Sequence, residues 1–241
     1  GGDMILLRGI IKQVQNAGAT VTIAHHYSDV LEKLEDELAI EKFPLNWNEL
    51  DYTAPYIDRI DKIDGAIICP FWQPVGRFID STPFEWDEAI DVNYEAAVYI
   101  SQAVAKHMIK NNVAGSIIFL TSVTTLMPFV DSSLYSTSLA MLRPQAKMAA
   151  VDCGKYGIRV NMVAMGWIES ESTQSYLTDD GRKFIENGIP LGEVGQPEAV
   201  ADTCCFLLSD LSRYMTGTVL TVDGGYTLTR SEGQSPYPPI D

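Results

Sequence analysis

Histidine and cysteine have most to offer a metal or a redox reaction, and their spacing in this chain argues against both. The three histidines are His25, His26 and His107. They form no HxH or HExxH arrangement with nearby carboxylates, so a metal site has no support. His25 and His26 read as ordinary residues of a strand end or loop. The four cysteines, Cys69, Cys153, Cys204 and Cys205, form no CxxC pair and no ladder that would suggest zinc or a disulfide framework, which fits a reducing cytoplasm. A third set consists of hydroxyl and amide side chains at fixed intervals. Ser122 is followed, after twelve residues, by Tyr135, which opens Tyr-Ser-Thr-Ser, and 26 residues after the tyrosine comes Asn161 in Gly-Ile-Arg-Val-Asn.

Composition narrows the partners. With 32 acidic against 17 basic residues, a formal charge of -15 and no local basic cluster, the chain would repel phosphate backbones and anionic bilayers. Neither nucleic acid nor a membrane is expected. No apolar run approaches the roughly 18 to 20 residues that span a bilayer, and no charged region followed by an apolar stretch opens the sequence. A soluble protein is expected, and 241 residues at 46% hydrophobic content suffice for one core.

The elements that must position these side chains alternate. Ile10 to Ala17 has helical spacing and runs into Ala17-Gly18-Ala19, a helix stop, before the β-branched run Thr20 to Ile23. Val30 to Ile40 predicts a helix, Phe43 to Trp47 a short strand, and Ala66 to Cys69 a strand. A long helix is predicted over Asp87 to Ile109, a strand over Ser116 to Thr121, a helix over Leu134 to Cys153 with Pro144 kinking it, and a strand over Ile158 to Ala164. Pro197 to Leu208 predicts a late helix and Thr218 to Val222 a closing strand. Strands separated by helices imply an α/β fold with a doubly wound parallel sheet in a single domain, residues 1–226, followed by a C-terminal arm, 227–241.

In order, Gly1-Gly2, Ala17-Gly18-Ala19, Asn93, Thr121-Ser122, Tyr135-Ser136-Thr137-Ser138, Gly157 to Asn161, Gly166-Trp167, Gly217 and Asp223-Gly224-Gly225 resemble the landmarks of the short-chain dehydrogenase/reductase superfamily. The resemblance covers nearly the whole chain and implies a Rossmann-like sheet. In that family the first strand precedes the glycine-rich turn, whereas this sequence opens at the turn, so a hole is expected between the second and fourth strands. The resemblance assigns proton chemistry to Ser122 and Tyr135, with Asn93 supporting a water. Gly1, Gly2 and, in a shifted turn, Gly9 correspond to the cofactor-binding glycines, and His25 or His26 to the end of the second strand, which selects the adenosine ribose.

The family pattern is broken at positions that face the cofactor. Ile5 and Leu7 stand where the later turn glycines are expected, Phe71 replaces a glycine after the fourth strand, Met165 precedes Gly166, and Leu139 occupies the place of the lysine that activates the tyrosine. A phenol near its reference pKa of about 10 is ionised on the order of one part in a thousand at neutral pH, so loss of that cation handicaps it as a base. Arg143 and Lys147 lie 8 and 12 residues past Tyr135; along a helix only Arg143 could fold back. These departures lead to an expectation of no cofactor and no standard hydride transfer, with NAD or NADP used only in the alternative of an oxidoreductase on a carbonyl or alcohol. A second alternative is a lyase similar to the halohydrin dehalogenases. A small-molecule substrate and a homodimer or homotetramer are implied by the resemblance.

Overall fold

The strands of the larger sheet are short and mostly apolar, and helices cover both of its faces. The computed structural model describes residues 4–25, 32, 34, 37, 38, 40–45 and 53–229. Expectations concerning Gly1, Gly2, Asp3 and His26, most of Val30 to Ile40, and the arm beyond Thr229 lie outside those residues.

Helix α1 (Met4–Asn16) is amphipathic on two sides. Leu6, Ile10 and Val14, four residues apart, join Val200, Ala201 and Cys204 in one apolar cluster, while Ile11 and Leu7 pack with Ile23 in another. The helix stops at Gly18, whose φ of 91° is the left-handed conformation that ends many helices. The turn leads into β1 (Thr22–His25), which pairs parallel with β2 (Glu41–Pro44). A short helix α2 (Thr53–Ile57) precedes β3 (Gly65–Ile68).

The long helix expected over Asp87 to Ile109 begins earlier and is interrupted. Helix α3 (Pro83–Ile90) starts with a capping box, in which the Thr82 hydroxyl accepts from Glu85 N and the Glu85 carboxylate accepts from Thr82 N, with Pro83 in the first turn. Those bonds hold the Glu85 carboxyl below its ordinary pKa. A π-helical turn at Asp91–Glu95 then joins it to α4 (Ala96–Lys110).

Strand β4 (Ser116–Ser122) is the centre of the larger sheet, order β3-β4-β5-β6, with β5 at Arg159–Met165 and β6 at Val219–Val222; all its pairings are parallel. Its residues are buried on both faces, as a parallel sheet covered by helices requires. Ile117 and Phe119 face α4 and its neighbours, and Ile118 and Leu120 face α1 and α8 (Pro197–Leu208). The result is a three-layer, Rossmann-like α/β domain.

Between β4 and β5 the single helix expected over Leu134 to Cys153 is two: α5 (Ser133–Ala140) and α6 (Leu142–Gly154). Pro144 sits in the first turn of α6, where an N–H would have no intrahelical acceptor, so the chain breaks at Met141 and the proline costs no hydrogen bond. Helix α7 (Asp179–Glu186) lies in the segment between β5 and α8.

Among the described residues β1 pairs only with β2, and β3 only with β4. The expected hole is present as a cavity of about 840 Å³ between β1 and β3, walled by Leu7, Ile11, Ile23, Ile67, Ala97 and Ile100 among others.

Candidate active site

The carboxyl ends of β4 and β5 bring the hydroxyl residues together. Ser122 is the last residue of β4, and a tight turn over Val123–Thr125 fixes it there: Ser122 Oγ accepts from Thr124 N at 3.2 Å and Thr125 Oγ1 donates to Ser122 O at 2.7 Å. With Oγ serving as acceptor in that turn, the serine hydrogen is left for a ligand oxygen. Tyr135, buried on α5, lines the same cavity as Ser122. That cavity measures about 80 Å³, and Phe71, Thr124, Trp167 and Tyr176 also contribute to its wall. No charged side chain lines it among the described residues. The Thr124 hydroxyl, in a side chain 9% exposed, finds no hydrogen-bond partner among the described residues. A buried hydroxyl left without a partner is costly, so this one marks a place for a polar ligand atom.

Asn93 is brought near but not into that cavity. It sits in the π-helical turn, fully buried, where the extra residue per turn rotates it out of α-helical phase. Its Oδ1 accepts from Trp72 N at 2.9 Å, and its Nδ2 donates to Trp72 O at 2.8 Å and to Ser138 Oγ at 3.0 Å. The Ser138 hydroxyl in turn contacts the carbonyls of Leu134 and Tyr135 on α5. One amide thus ties the loop after β3 to the helix that carries Tyr135. The loop holds Phe71 edge-on to Tyr135, with ring centroids 6.3 Å apart at 72°.

Other side chains singled out in the sequence fall elsewhere. Leu139 is buried in the main apolar cluster with Tyr135, and among the described residues no cation takes its place: Arg143 and Lys147 are exposed on α6 and line no part of the cavity. Ile5 and Leu7 belong to helix α1 and not to a turn; Leu7 lines the space between β1 and β3. Gly9 is also helical, and a Cβ there would stand 2.6 Å from Pro197 Cβ. The expectation that it serves as a turn glycine is therefore corrected: it lets α1 approach α8. His25, at the end of β1, is buried and lines the same large space. Trp167 and Tyr176 line the small cavity, packed edge-on at 5.8 Å, whereas Phe184 packs beside them in the same apolar group.

Several wall residues went unrecognised in the sequence. Thr124 offered only its place two residues past Ser122. Ser170, Ser172 and Thr173 form a hydroxyl cluster after β5: Ser170 Oγ lies 2.9 Å from Ser172 Oγ and 3.0 Å from Thr173 Oγ1, and Thr173 Oγ1 donates to Ile168 O at 2.7 Å. Arg182 of α7 pairs with Glu169 and Glu186, and these carboxylates raise the arginine pKa, fastening α7 to that segment.

At the reacting end, these residues suit a nicotinamide cofactor. Leu6, Met165 and Ile168 supply an apolar wall for a flat ring, and Gly166 leaves the strand end without a side chain, since a Cβ would meet Asp223 at 2.6 Å. The hydroxyls of Ser122, Tyr135 and Thr124 stand on the same cavity. Of the glycines expected at the phosphate end, Gly1 and Gly2 lie outside the described residues and Gly9 is helical.

Known proteins align over nearly this whole chain. A family model described as enoyl-(acyl carrier protein) reductase matches residues 8–227. A protein named L-rhamnose-1-dehydrogenase from Scheffersomyces stipitis is 31% identical, with 93% of each chain covered. One named L-rhamnose 1-dehydrogenase (NADP(+)) from Thermoplasma acidophilum is 30% identical over the same shares. The solved structure of a short-chain type dehydrogenase/reductase from Mycobacterium ulcerans has a TM-score of 0.88 at 23% identity, covering 93% of this chain and 86% of that one, a likeness of fold. The named activities correct two expectations, that hydride transfer is abandoned and that no cofactor is used. Both rested on Ile5 and Leu7, which the structure puts on a helix, on Phe71, whose ring lies against Tyr135, on Met165, and on Leu139 in the place of a lysine.

Proposed function

The chain belongs to the short-chain dehydrogenase/reductase superfamily, and we propose that it is an NAD(P)-dependent oxidoreductase interconverting an alcohol and a carbonyl on a small, neutral, polyhydroxylated substrate of the aldose class. The observation that carries this reading is the uncharged cavity in which Ser122, Tyr135 and the unpartnered Thr124 hydroxyl meet. A charged substrate would meet no counter-ion there, whereas a sugar offers the hydroxyls that Thr124 lacks. The names of the sugar dehydrogenases among its relatives support the same class.

A nicotinamide bound against Leu6, Met165 and Ile168 would supply the hydride chemistry. Ser122 Oγ and the Tyr135 hydroxyl hold the substrate oxygen, and the tyrosine exchanges its proton with that oxygen as the carbonyl and alcohol interconvert. Phe71 and Trp167 exclude water, and Thr124 Oγ1 receives or donates one further hydrogen bond to the substrate. Asn93 is a positioning residue, acting through Trp72 and Ser138. The end of β1 at His25 is assigned to the adenosine ribose, with Gly1 and Gly2 on the pyrophosphate. Without a cation at Leu139, the tyrosine works better as an acid than as a base, so reduction of the carbonyl is the faster direction near neutrality.

Self-association as a homodimer or homotetramer, through the outer faces of α4 and α6, is part of the proposal. Tyr99, Met148 and Val151 are exposed there, and apolar side chains grouped on helices suit a partner surface. A cytoplasmic site of action fits the four free cysteines, and no described helix is long and apolar enough to cross a membrane.

The test is the change in nicotinamide absorbance with NADH and NADPH against a panel of aldoses, ketoses and simple ketones. Turnover that is lost in Tyr135→Phe and in Ser122→Ala is the expected result. Absence of turnover with every substrate, alongside absence of cofactor binding by calorimetry, would overturn the proposal.

A further inference from the structure

We propose that Gln73 is a specificity-determining residue which, with Thr124, binds a hydroxyl on the carbon next to the reacting one. The site then takes a hydroxyketone or hydroxyaldehyde, or the vicinal diol it becomes, in preference to a simple ketone or alcohol. The inference rests on the proposed reaction for where the reacting oxygen lies.

Unused hydrogen-bonding capacity on the wall comes first. Ser170 Oγ and Thr173 Oγ1 bond to each other, and Thr173 Oγ1 donates to Ile168 O. Gln73 lines the same cavity, is half-buried, and its side chain makes no hydrogen bond among the described residues. Nor does the Thr124 hydroxyl. A glutamine amide brings a carbonyl acceptor and two N–H donors, and a threonine hydroxyl one donor and two lone pairs. One ligand hydroxyl serves both at once, donating to Gln73 Oε1 and accepting from Thr124 Oγ1.

The loop that carries the amide is held at both ends. Asn93 clasps Trp72 through its N–H at 2.9 Å and its carbonyl at 2.8 Å. Three residues beyond Gln73, Gly76 N donates to Asp131 O at 2.8 Å, and Gly76 forms a parallel bridge with Ser132. Both ties lead to α5, the first through Ser138 and the second because Asp131 and Ser132 run straight into Ser133. Gln73 therefore keeps a set place relative to Tyr135. A polar group positioned in advance gives up little freedom on binding, which discrimination between similar ligands requires.

Thr124 selects the hydroxyl that is read. Its N–H bonds to Ser122 Oγ, the atom that holds the reacting oxygen in the proposed reaction, so Thr124 stands beside that oxygen and faces substituents on the neighbouring carbon. A methyl group there would fill the same space while covering an amide and a hydroxyl with no hydrogen bond for either, and sites built around a hydroxyl reject such isosteres. A carboxylate would be uncompensated, since no charged side chain lines the cavity among the described residues.

Hydroxyacetone and butanone form a matched pair of about equal size, the hydroxyl of one replaced by a methyl in the other. Initial rates of NADH- and NADPH-linked reduction of both are measured for the parent, for Gln73→Met, which keeps the length of the side chain and removes the amide, and for Thr124→Val. The ratio of kcat/KM for hydroxyacetone to that for butanone is about a hundred or more in the parent and falls about tenfold in each variant; taking the ratio cancels any loss of folded protein. A ratio near one in the parent, or one that Gln73→Met leaves unmoved, would overturn the inference. Binding of the corresponding alcohols, propane-1,2-diol and butan-2-ol, is followed in parallel by tryptophan fluorescence, since Trp167 lines the cavity and Trp72 adjoins Gln73. If no reduction occurs, the proposed reaction fails and binding decides. Tighter binding of the diol than of butan-2-ol, lost in Gln73→Met, sustains the inference; equal or no binding of the two by the parent, or diol binding that Gln73→Met does not weaken, overturns it.

Discussion

Replacing Leu139 with lysine should return to this site the cation that its tyrosine lacks. Leu139 lies four residues after Tyr135 on α5, so the two side chains rise from the same helical face with Cβ atoms about 6 Å apart. An ammonium about 6 Å from the phenol oxygen, at an effective dielectric near 20, stabilises the phenolate by about 3 kcal/mol, or about two pKa units. Near neutral pH, alcohol oxidation by Leu139→Lys should run up to about a hundredfold faster than in the parent, with the rising limb of its pH profile displaced about two units toward acid. Leu139 is 1% exposed, so the substitution also loses apolar packing and buries a charge, at a cost of about 2–5 kcal/mol in stability. The assay is the initial rate of NAD(P)-linked oxidation from pH 6 to 10 for the parent, Leu139→Lys and Leu139→Met, the last controlling for shape. Identical pH profiles for the lysine and methionine variants, with both folded by circular dichroism, would refute the reasoning.

Asn93→Ala frees the Trp72 backbone and leaves Ser138 short of a donor; we expect about tenfold or more lost from kcat/KM and about 2 kcal/mol from stability, read by kinetics and by denaturant titration. Asn161→Ala strands Met215 O and Thr218 N, which the side chain bonds at 2.9 and 3.2 Å, and should lower stability by about 2–4 kcal/mol with little effect on KM, because Asn161 lines no part of the small cavity. Burial pushes the Cys204 thiol well above its ordinary pKa, and burial likewise raises Cys205 and Cys153, so Ellman's reagent should label Cys204 only on unfolding. The same shift sets a pH dependence: the unfolded thiol ionises first, so this contribution to stability is intact below the unfolded value of about 8.5 and declines as pH rises past it, which alkaline thermal melts of the parent against Cys204→Ala will show.

The layers and the reacting pair were legible because they rest on periodicity and spacing. Ser116 to Thr121 and Pro197 to Leu208 read correctly as a strand and a helix, and the landmarks that carried Ser122 and Tyr135 brought them onto one cavity. Apolar content alone did not reveal that the helix expected over Asp87 to Ile109 starts at Pro83, though Thr82-Pro83-Phe84-Glu85 carried both a capping box and a first-turn proline. Pro144 was read as a kink because the sequence does not mark the break at Met141. The larger error was at the cofactor. Bulk at Ile5 and Leu7 was judged on the assumption that residues 1–9 form a turn, whereas the helix begins at Met4 and points Leu7 away from the reacting end. Thr124 escaped notice because an unpartnered hydroxyl is a property of packing, which no local pattern encodes.

The π-helical turn at Asp91–Glu95 sets a limit on how this site can vary. Each residue of an α-helix advances the spiral by about 100°, and one surplus residue is what swings the Asn93 amide round to the Trp72 peptide. A single deletion within 91–95 would let the flanking spirals fuse into one regular rod, a gain in local regularity that throws every side chain upstream out of phase with those downstream. The aim of Asn93 would then be lost although its letter in the sequence stayed the same, so in this stretch the number of residues constrains the site as firmly as their identity.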